Sequence, residues 1–155
     1  MVIRFRSCLR RQHRCQRFPA DKVTETFIPK AVAHFDGVTV YDCGVNLTGY
    51  VVVRCGKAGE SIVIGHAAEL NGDFTLDKVT CACDRKPAHD EYISDGVHDM
   101  HPHFAWHGFR YFTLTDNAEP VEARMIHADI NVTSHFECDN DMLNWLYETY
   151  LRTQL

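Results

Sequence analysis

The sequence has no long apolar segment. None of its 155 residues belongs to a run approaching the roughly 20 consecutive apolar residues that a membrane helix needs. Its hydrophobic fraction of 45% is enough for one domain with a real core, and the chain is too short for two ordinary domains. We therefore expect one main core and no membrane partner.

Acidic residues are missing from the first 20 positions, which hold six arginines instead. These are Arg4, Arg6, Arg10, Arg11, Arg14 and Arg17. The remaining chain has 10 basic and 21 acidic residues, a net charge of −11, which argues against a nucleic-acid partner. We interpret residues 1–21 as a basic linker or a remnant of an upstream segment, because short basic segments usually stay solvated.

The basic segment 1–21 does not match a complete targeting sequence. It has no apolar segment of the kind that a secretory signal needs. It is rich in arginine and poor in acids like a transit peptide, but it contains one serine, Ser7. Localisation therefore stays open, with the cytoplasm favoured.

A disulfide framework is also missing, because the seven cysteines are odd in number and irregular in spacing. A reducing compartment is the simpler assumption. Cys43, Cys55 and Cys138 lie in apolar surroundings, and we predict that they are small core residues.

Strand-like segments dominate residues 22–134. Eight short segments rich in Val, Ile, Thr, Phe and Tyr alternate with turn-forming stretches. They are "AVAHF", "VTVYD", "GYVVVRC", "SIVIGHA", "KVTCAC", "DEYISDG", "HFAWHGFRYFTLT" and "VEARMIHADINV". Such a series predicts a mainly β protein, an antiparallel β-sandwich. Strict alternation places Phe109 and Tyr111 on one face and Arg110 and Phe112 on the other, so this strand is expected to be central.

Turn chemistry accumulates in "YDCGVNLTGY", directly before the apolar run "YVVVRC". Asp42 and Asn46 can hydrogen-bond to neighbouring backbone groups. Gly44 and Gly49 permit backbone conformations that other residues resist. We predict a shaped corner between two strands.

The final segment, residues 135–155, predicts one C-terminal α-helix. Four apolar side chains recur at helical spacing: Leu143, Leu146, Tyr147 and Tyr150. Asp139 or Asn140 is expected to cap the helix, and Asp141 suits its positive end. Either this helix docks on the sandwich or it is the first helix of a further domain, and we favour the second interpretation.

Four separated motifs together resemble bacterial α-L-rhamnosidases, glycoside hydrolase family 78. They are "YDCGVNLTGY", "IGHAAEL", "HGFRY" and "FECDNDMLNWLY", and they occur in the family's order. The matching positions are Asp42, Gly44, Asn46, Gly49, His66, Ala67, Glu69, Leu70, His107, Gly108, Phe109, Arg110, Tyr111, Phe136, Cys138, Asn140, Leu143, Asn144, Leu146 and Tyr147. Cys43 and Val45 depart from the family pattern. The resemblance covers residues 22–155.

This resemblance implies a jelly-roll or concanavalin-like sandwich over residues 22–134 and the first helix of an (α/α)6 barrel over residues 135–155. Family members hydrolyse terminal α-L-rhamnose with inversion, and their two catalytic carboxylates belong to the barrel. The chain would then be a non-catalytic portion whose partner is the catalytic barrel of the same parent chain, with a rhamnosylated glycoside as a further candidate partner. No cofactor is expected. Six motif residues are candidates for interdomain or sugar contacts: Asp42, Asn46, His66, Glu69, His107 and Arg110.

Carboxylates are abundant, but none of their spacings marks a catalytic pair. Inverting hydrolysis needs one acid and one base, and the candidates are Asp42, Glu69, Asp90, Glu91 and Asp99. We predict no catalytic residue here. Arg110 either contacts a sugar or the barrel, or pairs with an acid such as Glu69. We favour the pairing, because a partly buried guanidinium needs a partner.

Histidines cluster in "HDMHPHFAWH", which holds His98, His101, His103 and His107. Zinc needs converging ligands, whereas a strand spreads its side chains along its length. The Cys81–Cys83 spacing is not that of a zinc knuckle. We predict no metal site and interpret these histidines as surface residues near an interdomain contact.

Two alternatives to the rhamnosidase interpretation remain. The chain could be a self-contained carbohydrate-binding sandwich, with Trp106, Tyr111 and Tyr92 as a sugar-stacking platform. Such aromatic side chains more often fill a core or an interface. The chain could also be a metal-binding protein built on its histidine- and cysteine-rich segments.

Overall fold

The computed structural model describes residues 19–35, 37–77, 79 and 88–154, except the side chain of Gln154. The described elements are seven strands and one helix. They are β1 (Asp21–Phe27), β2 (Lys30–Phe35), β3 (Val38–Arg54), β4 (Ser61–Ala67), β5 (Ala88–Ile93), β6 (His107–Thr115), β7 (Glu119–Ala128) and α1 (Asp141–Gln154). Among the described residues, no helix is long and apolar enough to cross a membrane.

The strands form one curled antiparallel sheet. Its order is β1-β7-β3-β6-β4-β5, and β2 pairs with β3. The 17-residue strand β3 is long enough to pair with β2 and β6 along its first part and with β7 along its last part. The predicted antiparallel β-sandwich followed by a C-terminal helix is confirmed.

One apolar cluster forms the core of this sheet. Its largest fully buried side chains come from β3, β4 and β6: Val40, Val51, Val53, Ile62, Ile64, Phe109, Phe112 and Leu114. Cys43 and Cys55 belong to this cluster, as predicted. The same prediction for Cys138 is wrong, because Cys138 is only partly buried and lies just before the helix, with its Sγ 3.7 Å from the carbonyl oxygen of Asn140.

The predicted corner is an interruption within one strand rather than a turn between two. Asp42 pairs with Tyr111 and Leu47 pairs with Phe109, so residues 43–46 of β3 lie opposite one residue of β6. Gly44 has φ +82°, a conformation that side chains with a Cβ rarely adopt. Such a bulge bends a strand without ending it, which is why the sequence pattern looked like a turn.

Strand β6 is central, as predicted, with β3 on one side and β4 on the other. Its predicted alternation is wrong, because Phe109 and Phe112 are both fully buried in the same core. Their rings meet edge to face at 6.2 Å. The change of phase falls at Arg110 and Tyr111, where the bulge on β3 interrupts the regular pairing.

The sequence pattern missed β1, whose residues are almost all exposed and which pairs with β7 along its length. An exposed edge strand has little apolar alternation to reveal it. The predicted strand "KVTCAC" lies almost wholly outside the described residues.

Helix α1 begins at a side-chain cap. Asn140 Oδ1 accepts hydrogen bonds from the backbone N–H of Met142 at 3.0 Å and of Leu143 at 3.3 Å. Asn140 is therefore the cap of the two candidates. The extensive contacts between described elements are all between strands, and the apolar stripe of α1 stays open, with Leu143, Leu146 and Tyr150 exposed by 44%, 54% and 59%.

Candidate functional site

Three of the four sequence motifs converge on one open cavity of about 470 Å³, which we call the motif cavity. Strand β3, the segment after β4, and strand β6 supply its lining: Asn46, Ala68, Glu69, Leu70, Arg110 and Tyr111. Three of the six predicted contact residues, Asn46, Glu69 and Arg110, therefore share one surface.

Arg110 is held at this cavity by a fork-shaped ion pair with Asp42. Its Nε donates to Oδ1 and its Nη2 donates to Oδ2, both at 2.9 Å. Asp42 Oδ1 also accepts the backbone N–H of Gly44 at 2.6 Å. The expected acid partner is thus Asp42 rather than Glu69, because Arg110 is the residue opposite the bulge that begins at Asp42.

Electrostatics around this pair favour its charged form. The hydrogen bonds from Arg110 lower the pKa of Asp42 below its ordinary value, against the opposing effect of partial burial. The guanidinium also lies over the ring of Tyr111, 5.0 Å from the ring centre. The cavity therefore presents an oriented cation, an amide, a carboxylate and an aromatic ring, which are groups that can contact sugar hydroxyls or a second protein surface.

His66 and His107, the other two predicted residues, meet Asp90 instead. We call these three residues the His–Asp cluster. His107 Nε2 lies 3.0 Å from Asp90 Oδ1, and His66 Nε2 lies 4.0 Å from Asp90 Oδ2. The two imidazole rings stack with centres 4.4 Å apart. One ligand atom from each residue lies within 4.8 Å of the others.

His66 is buried, with 3% of its surface exposed, and its ring packs edge-on against Phe109. Among the described residues, neither ring nitrogen has a hydrogen-bond partner of normal geometry, although the backbone of Ala88 is close enough to act on the ring. Burial and then the charge of His107 lower the pKa of His66, so that its neutral form is favoured. Burial alone would raise the pKa of Asp90, but the hydrogen bond and the charge of His107 lower it.

Sequence reasoning did not connect Asp90 with the two histidines. Asp90 belongs to β5, outside the four motifs, and pairs in register with Ile64 while Ala88 pairs with His66. Only this register places Asp90 beside His66, and no signal in the sequence specifies it.

The other nominated carboxylates mostly have structural partners. Asp99 accepts two hydrogen bonds from Arg54, at 2.5 and 2.6 Å. Glu91 accepts one from the Ser61 hydroxyl at 2.8 Å. Glu69 lines the motif cavity.

The four histidines of the segment 98–107 do not converge on one site. His98 pairs with Asp95 at 2.6 Å, and His101 stacks on Tyr50. Of these four histidines, His107 is the one that joins a group with metal-ligand spacing among the described residues. The Cys81–Cys83 segment lies outside the described residues.

The three aromatic residues nominated as a sugar platform do not line one surface. Tyr111 lines the motif cavity. Tyr92 packs against the core, and Trp106 is half-exposed in the segment before β6.

Comparison with known proteins identifies the family. Residues 33–132 match the family described as bacterial alpha-L-rhamnosidase concanavalin-like domain. The chain belongs to this family. It is 35% identical over 140 residues to an α-L-rhamnosidase of Streptomyces avermitilis, and 28% identical over 144 residues to one of Formosa agariphila. Each match covers 85% of this chain but 13% and 15% of the relative.

Solved structures agree with this family. The α-L-rhamnosidase of Dictyoglumus thermophilum superposes with a TM-score of 0.75 at 28% identity, and the Streptomyces avermitilis enzyme complexed with L-rhamnose with 0.72 at 26%. The superpositions cover 89% and 88% of this chain, and 16% and 14% of those chains. The chain therefore spans a small part of the length of the proteins that it matches.

Proposed function

We propose that this chain is the non-catalytic β-sandwich portion of an α-L-rhamnosidase, a glycoside hydrolase that removes terminal α-L-rhamnose. Its role is to support and orient a catalytic (α/α)6 barrel of the same parent chain. Residues 22–134 form the sandwich, and residues 135–155 begin the barrel. The two carboxylates of an inverting reaction reside in that barrel.

The observation that carries this proposal is that the candidate catalytic carboxylates are bound to other side chains. Inverting hydrolysis needs two carboxyl groups about 6.5–9.5 Å apart, free to hold a water molecule and the leaving oxygen. Asp42 instead forms an ion pair with Arg110, and Asp99 forms one with Arg54. Asp90 is bound to His107. Glu91 accepts a hydrogen bond from the Ser61 hydroxyl, so each nominated acid other than Glu69 has a side-chain partner among the described residues.

The open stripe on α1 supports a second domain as partner. Leu143, Leu146 and Tyr150 form a continuous apolar face at helical spacing, and the strands leave it exposed. Burial of such a face is favourable by about 25 cal/mol for each Å² of apolar surface. A neighbouring barrel helix would cover this face.

Assay of the purified chain with an aryl α-L-rhamnoside tests the absence of catalysis. We expect no release of the aryl group above a blank without protein. Release that disappears in an Asp90→Asn or Glu69→Gln variant would contradict the proposal, because it would place a catalytic carboxylate in the sandwich.

A chimaera tests the supporting role. The matching segment of the Streptomyces avermitilis α-L-rhamnosidase is replaced by residues 22–134 of this chain, and rhamnoside hydrolysis is measured. We expect an active chimaera and an inactive or insoluble deletion of the same segment. Full activity of the deletion would contradict a supporting role.

A stand-alone carbohydrate-binding function is the second candidate, favoured by the polar lining of the motif cavity with Tyr111 beside it. Titration with L-rhamnose, followed by NMR of the protein, tests it. Saturable shifts at Asn46, Glu69 and Tyr111, weakened by Asn46→Ala, would support binding. No shifts at millimolar L-rhamnose would exclude this candidate.

A further inference from the structure

We propose that His66, Asp90 and His107 form a binding site for one divalent transition-metal ion, and that zinc is the ion that fits their ligand set. Imidazole nitrogens and a carboxylate oxygen are ordinary zinc ligands, and two histidines with one carboxylate leave a fourth position for water. The site lies beside the core, and it involves none of the residues that line the motif cavity.

The distances are close to those of a coordinated ion. Zinc binds nitrogen and oxygen at about 2.0–2.2 Å, so that two ligand atoms of a tetrahedral site lie about 3.3 Å apart. The observed separations from the Asp90 oxygens are 3.0 Å to His107 Nε2 and 4.0 Å to His66 Nε2. The three ligand atoms lie within 4.8 Å of one another, so the imidazole nitrogens would have to move closer to each other and to the carboxylate to reach a common ion.

The unsatisfied ring of His66 is an independent indication of a ligand. Buried polar atoms in proteins almost always have a hydrogen-bond partner, and the loss of one is costly. In the described part of the chain, both ring nitrogens of His66 are buried without a hydrogen bond of normal geometry. Nε2 of His66 lies 4.0 Å from Asp90 Oδ2, so a cation bound by this nitrogen in the plane of its ring and by the carboxylate would supply the missing interaction.

A metal ion could reach this cluster and would have a structural effect there. The side chains of Asp90 and His107 keep exposures of 15% and 20%, so the cluster is not sealed. Its three members come from β4, β5 and β6, which are neighbours in the sheet. The ion would therefore link the edge strand β5 to its neighbour β4 and to β6, the strand on the other side of β4.

Calorimetric titration of the chelator-treated chain with zinc tests the site. We expect one equivalent to bind and to raise the midpoint of thermal unfolding, because a ligand that prefers the folded state stabilises it. The variants His107→Ala and Asp90→Ala should each weaken binding at least about tenfold. The matched control His98→Ala alters an exposed histidine outside the cluster and should leave affinity unchanged.

Cobalt(II) separates this site from the seven cysteines of the chain. A site of two imidazoles and one carboxylate should show visible d–d absorption without the near-ultraviolet band that thiolate ligands produce. Circular dichroism confirms that each variant is folded before its affinity is compared. The proposal is overturned by the absence of an equivalent of bound metal, by a spectrum of thiolate ligation, or by folded His107→Ala and Asp90→Ala variants that bind zinc like the parent chain.

Discussion

Gly49 is the residue at which the fold depends most directly on the absence of a side chain. It pairs with Met125 on β7, and a Cβ at Gly49 would lie 1.8 Å from the carbonyl oxygen of Arg124. The obstructing atom belongs to the backbone of a paired strand, so it has little freedom to move.

We expect Gly49→Ala to lower the free energy of unfolding by about 3 kcal/mol or to prevent folding, as overpacking against backbone does. Urea unfolding followed by tryptophan fluorescence measures the effect. Gly56→Ala is the control, because a Cβ there meets nothing within 4 Å. Equal stability of the two variants would contradict the close approach at Gly49.

The Asp42–Arg110 pair predicts a pH dependence of stability. The pKa of Asp42 in the folded chain lies below its ordinary value of 3.8. The unfolded state then binds more protons near this pH, so the contribution of the pair is complete above pH 3.8 and is lost as the pH falls through the lowered value. Since Arg110 keeps a side-chain exposure of 40%, solvent screening limits the contribution to about 1 kcal/mol.

Asp42→Asn should lower the free energy of unfolding at neutral pH and should flatten its decline below pH 3.8. Urea titrations at several pH values test this expectation. The control Asp99→Asn removes an exposed ion pair with Arg54, and it should cost less than Asp42→Asn. A larger effect of the control would contradict the greater contribution expected of the Asp42–Arg110 pair.

Helix α1 begins at a side-chain cap whose loss should be measurable. Asn140 Oδ1 accepts the N–H groups of Met142 and Leu143, and loss of such a cap costs about 1 kcal/mol. Asn140→Ala should therefore speed hydrogen exchange at these two amides about fivefold. Asp139→Ala should not change their exchange, because the structure assigns the cap to Asn140. Equal acceleration in both variants would contradict that assignment.

The strands show how much of the secondary structure can be predicted from the sequence. The apolar periodicity of β3, β4 and β6 predicted their positions, because buried strands need Val, Ile and Phe at regular spacing. The bulge between Asp42 and Leu47 was misread as a corner, since glycine and asparagine serve both structures. Only the pairing partner distinguishes the two, and that partner is 60 or more residues away in the chain.

The exposed apolar stripe on α1 predicts that the isolated chain self-associates. Contiguous apolar patches are rare on monomeric proteins. Sedimentation velocity should detect oligomers at micromolar concentration. The double variant Leu143→Ser and Leu146→Ser should shift the distribution towards monomer, whereas Val97→Ser, at an exposed apolar residue in a loop, should not. Identical distributions for all three proteins would exclude α1 as the contact.

The sequence by itself determined the β class, the C-terminal helix and the family, because these follow from local periodicity and from motifs that are read along the chain. It also nominated the six contact residues. The tertiary structure decided how they group: Arg110 binds Asp42, while His66 and His107 meet Asp90. These groupings depend on strand register and on the bulge in β3, and register is a property of pairs of distant segments, which no single stretch of sequence encodes.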